Sequence, residues 1–128
     1  MRFAVERVCR QGGRIMVSGR TPVGPLQGIW QNRELPIVRS SCHVELVIDT
    51  PWEAAAPRIR APATALAGDT VVFHGLCEEA DEAFCYLRFA GDWLEMIDIR
   101  AISTPQKAGG LISFSASADG IKIYPYTL

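Results

Sequence analysis

SSCHVELVID, residues 40–49, decides how the rest of the chain is read. The apolar residues Cys42, Val44, Leu46 and Ile48 hold the even positions, while His43, Glu45, Val47 and Asp49 hold the odd ones. A period of two marks a strand with one buried face, because successive side chains project to opposite sides of a pleated backbone. The same alternation splits the one compact cluster of reactive side chains in the segment. Cys42 is expected to point inward, and His43 and Glu45 to share the outer face.

Strand-like patterns recur on both sides. VERVC at 5–9 and IMVSG at 15–19 flank the turn signal QGGR, and TVVFHGLC at 70–77 is strongly β-prone. FCYLRFA at 84–90 and WLEMIDI at 93–99 bracket Gly91-Asp92, and LISFSAS at 111–117 and IKIYPY at 121–126 bracket Asp119-Gly120. Each pair reads as a hairpin. Pro125 has no N–H to give a ladder, so its strand is expected to lie at an edge or to end there. Residues 21–38 and 50–68 each carry three prolines and are expected to be long loops, with one helical turn at EAAA (53–56). Trp30 and Trp52 would pin these loops to the body of the protein. Seven or eight short strands imply an all-β protein, a single domain over 1–128. The expected form is a small closed or partly open OB-like barrel, with a β-sandwich as the alternative.

Composition narrows the function. With 48% hydrophobic and 21% charged residues, the chain has the balance of a globular domain. Its net charge of −1 argues against a dedicated nucleic-acid binder, which usually carries a basic surplus. The charge is unevenly spread: residues 1–60 hold nine Arg against five acids, and residues 61–128 hold two Arg and two Lys against nine acids. The excess of Arg over Lys, with abundant Ala, Gly and Pro, suggests a GC-rich bacterial genome. No apolar run reaches the roughly 18–20 residues of a membrane span, and Glu6 and Arg7 interrupt any leader-like start. A cytoplasmic protein is expected, with Cys9, Cys42, Cys77 and Cys85 as free thiols.

His43-Val44-Glu45 matches the first half of a zinc-deaminase signature, but the P-C-x-x-C half is missing. His43, Glu45 and His74 are the weak candidates for a metal site, since His43 and Glu45 share a strand face and only two histidines exist. Cys77 and His74 have opposite parity, so they do not form a nucleophilic pair. No catalytic residues, metal or cofactor are therefore expected. In FCYLRF, Phe84, Tyr86 and Arg88 share one face, as in a base-stacking platform of an OB-like single-strand binder. Glu78, Glu79, Asp81 and Glu82 precede them and would repel phosphate. The same residues suit a protein interface better. Aromatics and Arg would serve as anchors, and an acidic loop would steer a basic partner. The aromatic face could equally be the interface of a homo-oligomer.

LPIVRSSCHVELVID at 35–49, HGLCEEADEAFCYLRF at 74–89 followed by GDWLEMIDI, and the tail GIKIYPYTL at 120–128 together cover about half of the chain. Their order resembles uncharacterised small bacterial β-proteins of the toxin-immunity kind. That resemblance names no family and transfers no site residue. It implies a non-enzymatic cytoplasmic protein that binds a protein partner. The alternatives are an OB-like single-stranded nucleic-acid binder and a small metal-dependent enzyme using His43 and Glu45.

Overall fold

The computed structural model describes residues 1–54, 60–98, 100 and 108–127. Among these lie eleven strands: β1 (Arg2–Gln11), β2 (Arg14–Thr21), β3 (Gly24–Trp30), β4 (Ser41–Ile48), β5 (Trp52–Glu53), β6 (Ala63–Ala67), β7 (Thr70–Ala80), β8 (Phe84–Ala90), β9 (Trp93–Asp98), β10 (Leu111–Ser117) and β11 (Ile121–Tyr126). The protein is all-β. Strands β1-β2-β3-β11-β4 form a closed barrel, with β4 returning to β1. A second sheet runs β5-β10-β7-β8-β9, and β6 pairs with the first half of β7.

Alternation builds the interior as the sequence implies. Val44 is buried on β4, Cys42, Leu46 and Ile48 pack against the core beside it, and Glu45 and Val47 are exposed. One continuous apolar cluster joins Phe3, Val5, Val17, Leu26 and Ile123 of the barrel to Val71, Phe73, Leu87, Phe89 and Phe114 of the second sheet. The rings of Phe73 and Phe114 stack at 4.8 Å, and those of Phe89 and Trp93 at 4.7 Å. Such aromatic pairs add about 0.5–1.5 kcal/mol each beyond the area they bury.

The two sheets are joined where β6 crosses the β2–β3 turn. Thr64 donates its N–H to Val23 O (3.2 Å) and its hydroxyl to Pro25 O (2.6 Å). Gly24 lies under this contact with φ of 143°, and a Cβ there would stand 2.6 Å from Thr64 O. Only glycine meets both requirements.

Several expectations need correction. The stretch 21–38 is not one long loop, because it contains β3, a barrel strand with buried Leu26, Gly28 and Trp30. Its prolines concealed this: Pro25 stands at the start of the strand, where a missing N–H costs least. The stretch 50–68 contains β5 and β6. Of the expected helical turn, Glu53 is in β5, and Ala55 and Ala56 lie outside the described residues. LISFSAS and IKIYPY do not form a hairpin. The 3-10 turn Ala118–Gly120 carries the chain from β10 in the second sheet to β11 in the barrel. That turn is held to other segments, by Ala118 N–H to Asp69 O (2.8 Å) and by Asp49 N–H to Gly120 O. Finally, β11 is not an edge strand and does not stop at Pro125, since it runs on to Tyr126 beside β4; the proline is tolerated because β3 pairs with β11 only at Lys122 and Ile123, so its missing N–H falls beyond that ladder.

Candidate interaction surface

The second sheet turns one face to the core and the other outward. Val71, Phe73 and Cys77 of β7, Cys85 and Leu87 of β8, and Trp93 and Ile97 of β9 are buried. On the opposite face, register places Arg88 between Leu76 and Leu94, and Tyr86 between Glu79 and Met96. Leu76, Leu94 and Met96 are 37%, 44% and 55% exposed, a high value for large apolar groups standing side by side. Phe84 continues the row, paired with Asp98 and half-buried. Phe84, Tyr86 and Arg88 thus share one outer face, as their parity implies.

A bulge shapes the acidic end. The register of β7 against β8 shifts between Cys77 and Glu79. Glu79 then faces the same side as Tyr86, and Glu78 also reaches that side, since its carboxylate accepts a bond from Arg88 Nε at 2.8 Å. A bulge puts an extra residue on one strand, which is why two consecutive glutamates can project together. Arg88 also donates from Nη1 to Gly91 O at 3.2 Å. Asp81 accepts the N–H groups of Ala83 (2.7 Å) and Phe84 (2.8 Å), and these bonds hold its carboxyl below the usual carboxylate range. Asp81 therefore forms the turn as well as carrying charge. Glu82 is exposed at the tip.

The weak metal candidates stand apart. His43 and Glu45 occupy the outer face of β4, opposite Tyr126 and Tyr124 of β11, and the His43 and Tyr126 rings lie 5.8 Å apart. His74 is on the other sheet, with Nδ1 2.6 Å from Ser113 Oγ across β7 and β10. Burial pushes the His74 pKa down. Ser113 is only 6% exposed, so this pair has the character of an internal cross-strand link. No group of three His, Cys, Asp or Glu side chains is placed to hold a metal among the described residues.

Glu95 escaped the reading of the sequence. It lies on the inward parity of β9, between buried Trp93 and Ile97, and an acid on a core-facing position is itself the signal. It lines a polar cavity of about 280 Å³ between β4 and β9, with Glu45, Asp92 and Tyr126. Trp93 Nε1 donates to Glu95 Oε1 at 2.9 Å. Burial pushes the Glu95 pKa up to about 7; the Trp93 bond and the Met1 ammonium lower it, and the Glu45 carboxylate adds to the rise. The Met1 ammonium lies 3.5 Å from Asp92. Leu94 and Met96 also belong to the interaction surface, beyond the residues that the sequence singles out. Their parity in WLEMIDI was readable, but not the neighbours that make them one strip with Tyr86.

No family model, curated protein or solved structure matches the chain. No helix among the described residues is long and apolar enough to cross a membrane.

Proposed function

We propose that this is a non-enzymatic cytoplasmic binding protein that docks the outer face of β7–β8–β9 on a second protein, in the manner of a bacterial toxin-immunity protein. The observation that carries the reading is the apolar strip of Leu76, Tyr86, Leu94 and Met96 bordered by exposed Glu78, Glu79, Asp81 and Glu82. An apolar centre with a charged rim is the usual anatomy of a protein interface. The rigid sheet would act by occlusion, covering the partner's working site. Acidic groups at the rim favour a basic partner and speed its approach. The nucleic-acid alternative is weaker, because Arg88, the cation of the aromatic face among the described residues, is already paired with Glu78.

Two variants test the reading against a partner captured from the native host. Met96→Glu should weaken binding at least tenfold by placing a charge in the apolar centre. The triple variant Glu78→Lys, Glu79→Lys, Glu82→Lys should slow association and flatten its salt dependence. Unchanged affinity and salt dependence in both would sink the proposal. A dimer that Met96→Glu dissolves in sedimentation would identify a second copy of this chain as the occupant instead.

A further inference from the structure

β4 and β9 run side by side in the same direction, yet they do not pair. One cavity is lined by Val44–Leu46 and Asp92–Glu95, and a second, of about 510 Å³, by Ile48–Pro51 with Met96, Ile97, Asp98 and Arg100. The Cα traces of the two strands stay more than 8 Å apart over almost all of this run, whereas paired strands stand at about 5 Å. One extra strand between them would need about 10 Å.

Both walls of this gap are strand edges without a ladder among the described residues. β1 pairs with β4 only at Ser41, Cys42 and His43. Val44 then exchanges two main-chain bonds with Met1: its N–H donates to Met1 O (2.8 Å), and the Met1 amino group donates to Val44 O (3.1 Å). In a strand the N–H and C=O of alternate residues point to the same side. Leu46 and Ile48 therefore aim theirs to the same side as Val44, where no described strand pairs with them. On the far wall, β9 pairs with β8 and with no other strand among the described residues. Inward-facing Leu46, Ile48 and Ile97 form an apolar floor.

We infer that this gap is a seat for one extended segment of a partner protein, which inserts as a strand between β4 and β9 and joins barrel and sheet. Free strand edges bind peptides through main-chain hydrogen bonds, with alternate side chains conferring specificity. The charges define the occupant. Asp98 is paired with Arg100, Asp49 with Lys122 and Asp92 with the Met1 ammonium. Glu45 and Glu95 line the same cavity from opposite walls, with the Met1 ammonium beside them and no Lys or Arg among the described lining residues. The segment should alternate apolar residues, set on the floor that Glu95 shares with Ile97, with Lys or Arg on the outer side, where Glu45 stands. The inference rests on the partner-binding reading for the source of the strand, but it uses different residues.

The probe is an acetylated, amidated nonapeptide alternating Val and Lys, titrated against the full chain and followed by amide hydrogen exchange. Saturable binding is expected, with exchange at Leu46 and Ile48 slowed at least tenfold. Replacing Lys by Glu in the probe should weaken binding at least tenfold. N-methylating either set of alternate residues in the probe should do the same, because a strand held on both sides uses both sets of N–H groups. Four results would overturn the inference: no saturable binding, methylated probes binding as well as the parent, loss with one set only, or Leu46 and Ile48 already protected in the free protein. The triple hairpin variant should keep the probe response, so failure of the docking face and failure of the gap are separable.

Discussion

The barrel and the second sheet share one core, but they end differently. Every barrel strand has a neighbour on each side, so the backbone positions are mutually fixed. The second sheet stops at β9, whose outer edge faces the gap. Closure leaves the barrel few unpaired edges, such as β4 beyond Val44, whereas β9 is unpaired along its whole outer side among the described residues and accepts looser restraint. The difference places tolerance to change, and capacity to bind, on the same side of the molecule.

The largest expected effect tests this contrast directly. A Cβ on Gly19 would collide with the main-chain oxygen of Ala4 on the neighbouring barrel strand. Gly19→Ala should destabilise by about 3 kcal/mol or more, because a closed ring cannot easily shift one strand. Leu94→Ala on the open strand, where the side chain is 44% exposed, should cost under about 1 kcal/mol. Denaturant unfolding of both variants measures the gap, and equal costs would break the comparison.

Glu95 gives the intermediate effect, at the seam of the two regions. Its folded-state pKa of about 7 lies above the unfolded value, so ionisation opposes folding. Its favourable contribution is complete below about pH 4 and is lost as pH rises through about 7. Glu95→Gln should match the parent near pH 4 and be more stable at pH 8 by on the order of 1–3 kcal/mol. A pH series of unfolding midpoints checks the sign, and a variant less stable at pH 8 would refute it.

The smallest effect belongs to the outer face. Glu78 and Arg88 are 42% and 34% exposed, and water screens such pairs, so Glu78→Gln should change stability by less than about 1 kcal/mol. A larger loss would mean that the bulge depends on this pair, making the acidic end a structural device.

Much of this architecture was legible in the sequence. SCHVELVI alternates because β4 has one wet face, and FCYLRFA likewise separates Cys85, Leu87 and Phe89 from Phe84, Tyr86 and Arg88. β3 was hidden, because Pro22 and Pro25 speak for a loop while the ladder tolerates Pro25 at the strand start. Asp119-Gly120 correctly marks a turn. A local turn signal cannot say which sheet receives the next strand, since that depends on β7 and β4 competing for partners far away in the chain. The candidate surface was half visible for the same reason. Parity assigns each residue to a face, whereas the Leu76–Arg88–Leu94 row and the gap between β4 and β9 arise only when distant strands are set in order.

The four thiols carry a chemical consequence of this layering. Cys85 and Cys77 lie buried on the inner face of β7–β8, and burial, then the neighbouring Cys77, pushes the Cys85 thiol up to about 11. Alkylating reagents and oxidants attack the thiolate, so both groups are doubly withheld, by access and by protonation. Cys9 stands open on β1, and Cys42 is intermediate. The chain therefore carries a graded set of covalent reporters. Cys9 reacts with the intact protein, whereas modification of Cys77 or Cys85 records that the β7–β8 hairpin has come apart.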